Sequence, residues 1–373
     1  MKTMNFREEL GKVCPKAKQG ANIYFFGCGK HFEDVRAWYR SFANISIEDY
    51  AFAFIDNDAN KQGKEFYGKP VVSPDSVSPE NSVVLITAEN YLDCSIDRQM
   101  MDRGFFWGYD LMGCLTTLQI LKSWIFSNFM EFKDKHKGER CFIIGGGASL
   151  RASDLDMLKN EKTFAMNKIY KIFDKTEWRP TYYVTEDALM AKQYRIINEY
   201  IKGCKFFDFE HCLREINNDK DFQFDKNAHY FTLIKNMSNR PAEYKKPGFG
   251  KYPDEFYYGF TSTYSCLQLA AFMGFKEIYL VGIDHEYSVM ITNSGEIIFS
   301  EKRNHFTNEY HKGGIMEQYQ SQGFHLFYID NVTAAYQSAR EYAENNGITI
   351  KNATRGGKLE VFERVSFDEL FDK

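Results

Sequence analysis

The stretch that most constrains this chain is Lys276–Asp284, Lys-Glu-Ile-Tyr-Leu-Val-Gly-Ile-Asp. A run of β-prone apolar residues enters a glycine and then a carboxylate. That is the pattern of a buried parallel strand ending in a turn that faces a site. Just upstream, Thr261–Gly274 opens on hydroxyl residues and closes on glycine, the punctuation of an amphipathic helix. Helix then buried strand is half of an α/β nucleotide-binding unit, and the strand-to-turn pattern recurs along the chain.

A length of 373 residues exceeds one typical core and implies two domains. The expected fold is α/β, with two doubly wound Rossmann-like domains, the second larger and carrying the site. The expected divisions are 1–115 for the small domain, 116–137 for a helical linker and 138–373 for the catalytic domain. A net charge of −4 gives no electrostatic reason to expect nucleic acid or an anionic membrane. None of the eight cysteines forms a Cys-x-x-Cys pair, which fits reduced thiols in a cytoplasmic protein. The first residues lack a secretory core, and no run of about 18 apolar residues could span a bilayer. Peripheral contact with the inner face of a membrane, and assembly as a homo-oligomer, stay open.

In the first domain, Ala21–Gly29 reads as a strand and turn, Tyr50–Asp56 as a second strand and Ser82–Thr87 as a third. Gly27-x-Gly29 is an incomplete dinucleotide fingerprint, since Phe32 stands at the third glycine position. Asp56 lies where a ribose-binding acid would be, although a structural or regulatory module is the favoured reading. The stretch from Phe54 to Val72 resembles the small Rossmann-like modules of bacterial sugar-modifying enzymes.

The second domain opens with the strand Arg140–Ile144 and then Gly145-Gly146-Gly147-Ala148-Ser149 before a helix. Three glycines let backbone approach a ligand, and amides at a helix start suit phosphate. Two more strands end in polar residues: Asn167 after Lys162–Met166, and Thr185, Glu186 and Asp187 after Pro180–Val184. Asn352, Thr354 and Arg355 arrive at the end of another strand. In open α/β sheets the ligand crevice lies at the carboxyl ends of the strands, so these residues count together. The segments 236–255 and 288–312 read as long loops, the second a lid with a small hairpin around Asn293–Gly295. Its His305 and His311 are the general-base candidates, because imidazole titrates near neutral pH. They stand six residues apart with no cysteine nearby, a poor pattern for zinc.

Phe142–Leu150, Ala165–Asn167, Thr261-Ser262, Phe275–Asp284 and Ile350–Leu359 together resemble the MptE-like superfamily. It includes 6-hydroxymethylpterin diphosphokinases, motility-associated glycosyltransferases and bacterial sialyltransferases that use CMP-sialic acid. The likeness covers about residues 138–365. It is nearest to the sialyltransferases, with Gly146 in place of an Asn, Gly259 in place of an Arg and Glu286 in place of a Tyr. The resemblance implies that Asn167, Thr261, Ser262, Gly282 and Asp284 hold the nucleotide. It implies that Tyr287 helps the donor phosphate, and that a lid histidine deprotonates the acceptor without a metal or other cofactor.

The leading expectation is therefore a bacterial glycosyltransferase of surface glycans such as lipopolysaccharide or capsule. Its partners would be a nucleotide-sugar donor, CMP-linked first, and a glycan acceptor, with no nucleic acid. Two rivals stand beside it. One is a pterin-like diphosphokinase needing ATP and Mg²⁺, held by carboxylates such as Asp187 and Asp284. The other is a non-catalytic nucleotide or glycan sensor.

Overall fold

The computed structural model describes residues 3–88, 94–219, 221–224, 226–235, 246–287, 289–292, 294–299, 304–307 and 329–371. The chain divides into two compact units, Met1–Asn128 with Leu213–Gln223, and Phe129–Cys212 with Phe224–Lys373. Both are α/β with Rossmann-like parallel sheets. Among the described residues, no helix is long and apolar enough to cross a membrane.

The first unit holds β1 (Asn22–Phe26), β2 (Ala53–Ile55), β3 (Glu65–Phe66), β4 (Lys69–Val72), β5 (Ser82–Ile86) and β6 (Leu111–Met112). They order as β3-β4-β2-β1-β5-β6, parallel except between β3 and β4. The central strands are buried on both faces, which explains their unbroken apolar runs. At the end of β1, Gly27 takes φ 118°, and a Cβ there would stand 2.9 Å from that of Ala88. Asp56 organises this turn internally. Its carboxylate accepts from the amides of Cys28 (3.0 Å) and Asp58 (2.9 Å) and pairs with Lys61 (2.9 Å). Burial works against ionisation here, but Lys61 and the two amides hold the carboxyl below its ordinary range.

The second unit is built on β7 (Arg140–Ile144), β8 (Thr163–Met166), β9 (Tyr182–Thr185), β10 (Cys204–Asp208), β11 (Ala228–Phe231), β12 (Leu233–Ile234), β13 (Phe256–Tyr257), β14 (Glu277–Val281), β15 (Val289–Ile291), β16 (Ile297–Phe299), β17 (Thr349–Asn352) and β18 (Glu363–Arg364). Eight of these form one sheet, ordered β11-β10-β9-β8-β7-β14-β17-β18 and parallel throughout. Sequence order reverses between β7 and β14, so the switch point of the sheet lies there. β15 and β16 pair antiparallel, the small hairpin expected in the lid.

The helix Ser262–Phe272 lies over β7–β9 and packs on the helix Ile329–Asn345. It is not amphipathic as expected: Ser262 through Ala270 and Phe272 are all buried. Its polar side chains face internal partners instead of water. Gln268 accepts from the amides of Gly250 (2.9 Å) and Tyr257 (2.8 Å), and Ser265 donates to Glu186. Hydroxyl and amide residues on such a helix read as a solvent face unless those partners are known. Burying Leu267 and Leu269 contributes about 1.5–3 kcal/mol each.

Candidate functional site

The carboxyl ends of β7 and β14 are tied together by backbone. Gly145 N–H donates to Val281 O at 2.8 Å, and Gly147 N–H donates to Gly282 O at 2.9 Å. A Cβ at Gly147 would stand 2.6 Å from Gly282 O, so the approach requires glycine. Ser149 then binds Asp284 twice: its amide donates to Oδ2 at 3.0 Å and its hydroxyl donates to Oδ1. The amides of Gly146 and Ala148, between these anchors, have no hydrogen-bond partner among the described residues.

A third segment closes this end of the sheet. Asn352 Oδ1 accepts from Thr354 N (3.0 Å), and its Nδ2 donates to Leu359 O (2.8 Å). Thr354 Oγ1 accepts from Ile283 N at 3.1 Å. Both side chains are buried and shape the turn that carries Gly357 against Asp284. Gly357 has φ 70°, and a Cβ on it would lie 2.5 Å from Asp284 O. Lys358 N–H donates to that same oxygen at 2.7 Å. The result is a cleft of about 270 Å³ lined by Ser149, Asp284, Glu286, Arg355, Gly356 and Gly357, among others. Arg355 is fixed by Asp154 (2.8 Å) and Asp368, and Glu286 by Lys358 (2.9 Å).

The next strands supply a second group. Asn167 sits just past β8 with φ 52°, and its Oδ1 accepts from Thr185 Oγ1 (2.8 Å) and Ser262 Oγ (3.4 Å). Thr261 caps the Ser262 helix, its hydroxyl accepting from Thr263 N. Asn167, Thr185, Thr261 and Ser262, far apart in the chain, thus gather beside the Gly145–Ser149 loop on one edge of one sheet.

Glu186 and Asp187 behave differently. Asp187 accepts from Leu189 N at 2.8 Å and caps a short helix. Glu186 turns inward, 6 % exposed, and accepts from Ser265 Oγ. Burial pushes its carboxyl up to about 7, with the neighbouring Asp208 adding to the effect.

Of the expected catalytic residues, His305 reaches the glycine loop. Its Nδ1 lies 3.3 Å from Gly146 O, and the adjacent Phe306 N–H donates to that oxygen at 3.1 Å. Since a carbonyl only accepts, Nδ1 carries a proton. Tyr287 is partly buried near Asp284 and Tyr336, and burial keeps its phenol protonated. His311 lies outside the described residues, as do residues 236–245 of the first long loop.

Two histidines that sequence reasoning passed over stand near the same edge. His285, at φ 50°, donates from Nε2 to Thr333 Oγ1 (2.8 Å), whose own proton goes to Ile329 O. Burial lowers it to about 4, so it stays neutral. His211 follows β10 and approaches Asp208 (2.9 Å) and the Glu186 backbone oxygen (2.8 Å). The cue for His211 was Phe206-Phe207-Asp208 ahead of Glu210-His211, another strand ending in a carboxylate.

No curated protein matches this chain. Among solved structures, one similar chain is the sialyltransferase CstII from Campylobacter jejuni in complex with a substrate analogue, CMP-3FNeuAc. It is 14% identical, covers 61% of this chain and 86% of its own, and has a TM-score of 0.36. Residues 116–289, which hold the glycine loop, Asn167, Thr185, Ser262 and Asp284, match the family described as 6-hydroxymethylpterin diphosphokinase MptE-like, as the motifs implied.

Proposed function

We propose that the second unit is a glycosyltransferase that takes its sugar from a nucleotide-activated donor, a CMP-linked nonulosonic acid of the sialic type first, for a bacterial surface glycan made on the cytoplasmic side. One observation carries the reading. Among the described residues, the amides of Gly146 and Ala148 have no hydrogen-bond partner where the sheet order reverses, beside the Asn167–Thr185–Ser262 group. Two such amides, on either side of Gly147, suit the oxygens of an activated phosphate ester.

In this reading, Asn167, Thr261, Ser262, Gly282, Asp284 and the Gly145–Ser149 loop hold the nucleotide. His305 Nε2 takes the proton of the acceptor hydroxyl as that oxygen bonds to the anomeric carbon. The bond from that carbon to the phosphate oxygen breaks, and the phenol of Tyr287 and the loop amides steady the charge that leaves with the phosphate.

The family description favours a second reading, pyrophosphoryl transfer from ATP. It would ask Asp187 and Asp284 to hold magnesium. Leu189 N engages one oxygen of Asp187 and Ser149 engages both oxygens of Asp284, so a cation there would share these carboxylates with the contacts they already make. Calorimetry separates the two readings. CMP binding without magnesium supports the transferase, whereas ATP binding only with magnesium supports the diphosphokinase. For the base, His305→Ala should slow transfer from CMP-sialic acid by about 10²-fold or more. A loss below about tenfold would remove His305 from that role.

A further inference from the structure

We propose that His211, at the carboxyl end of β10, is a binding residue for the sugar half of the donor, with Nε2 meeting one of its hydroxyls. This rests on the reading of the second unit as a nucleotide-sugar enzyme, and it adds a residue that neither the motifs nor the family likeness includes.

The geometry is specific. His211 Nδ1 lies 2.8 Å from Glu186 O and 2.9 Å from Asp208 Oδ2. Both are acceptors, so Nδ1 carries the ring proton. Nε2, at the other end of the ring, has no partner among the described residues. The side chain is 17% exposed, which leaves an edge open to a ligand. Asp208 is almost wholly buried, and its oxygens make no hydrogen bond among the described residues. His211 Nδ1 stands 2.9 Å from it and Lys235 Nζ 3.8 Å. A buried carboxylate so placed fixes the imidazole and accommodates it in either protonation state. A hydroxyl suits such a ring in both states, since it donates to a bare Nε2 and accepts from a protonated one. A phosphate oxygen, which carries no proton at neutral pH, does not.

Position selects the sugar over the nucleotide. The loop that suits the phosphate follows β7, and β10 is three strands away, about 14 Å at the usual spacing. Between them stand Asn167 and Thr185, and Glu186, whose oxygen holds His211, follows Thr185 directly. The chain of polar contacts therefore runs from the phosphate end outward along the sheet edge and ends on His211.

The test is calorimetry with CMP and with CMP-N-acetylneuraminic acid on the full chain and its His211→Ala and His211→Gln variants. His211→Ala should weaken the sugar nucleotide about tenfold, the scale of one hydrogen bond, and leave CMP affinity unchanged. His211→Gln, whose amide reaches the same region, should recover part of the loss. Unchanged CMP affinity also shows that the variants are folded. Equal losses for both ligands, or none for either, overturn the role of His211 while the donor reading stands. If the natural chain binds neither ligand, the donor reading falls, and this inference falls with it.

Discussion

Replacing Glu186 by glutamine should make the protein more stable in mild alkali and change it little in acid. The carboxyl is buried beside Asp208 and its folded value is about 7, against 4.5 when unfolded. A raised value means that folding favours the protonated acid. That advantage is complete below pH 4.5 and is lost as pH rises through 7. At about 1.4 kcal/mol per tenfold change in proton affinity, the ionised group costs about 3 kcal/mol at pH 8 and less than about 1 kcal/mol at pH 5. Glutamine is neutral throughout, and its amide oxygen still accepts from Ser265 Oγ. Urea unfolding of both proteins at pH 5 and pH 8 reads the difference directly. A gain of the same size at both values would show that Glu186 is not protonated on folding, and would refute the argument.

Other outcomes follow from the same kind of reasoning. His229 is packed among Phe129, Phe132 and Phe206, and burial above all lowers it to about 3 from 6.5. Its stability contribution is present above pH 6.5 and is lost as pH falls toward 3, so His229→Phe should remove about 3 kcal/mol of the acid destabilisation seen between pH 7.5 and 4.5 in urea melts. Gly357→Ala puts a methyl group against Asp284 O in a left-handed backbone; a loss of about 3 kcal/mol and weakened CMP binding are expected, checked by denaturation and calorimetry.

Much of the sheet was legible because parallel strands buried on both faces write themselves as apolar runs. Arg140–Ile144 and Glu277–Val281 lie where such runs were read, and each runs into the glycine that marked the crevice. What stayed hidden depends on contacts between distant segments. Nothing local says that Glu186 turns inward to Ser265 while its neighbour Thr185 turns to Asn167. β10 was overlooked because Lys205 interrupts its apolar run, although that lysine is fully buried. Missing β10 meant missing Asp208 and His211. The Ser262 helix misled in the opposite way: its hydroxyls and amide looked like a wetted face and are internal hydrogen-bonding groups.

The clasp of Thr354, Gly357 and Lys358 on residues 283 and 284 also bears on how the molecule is made. Thr354 lies 71 positions after the amide it receives. On a translating ribosome, the strands carrying the glycine loop, Asn167 and Asp284 all emerge before the segment that braces them. A nascent chain can therefore assemble most of its large sheet while the ligand edge is still unsupported, and the crevice becomes competent only once residues 354–358 have emerged.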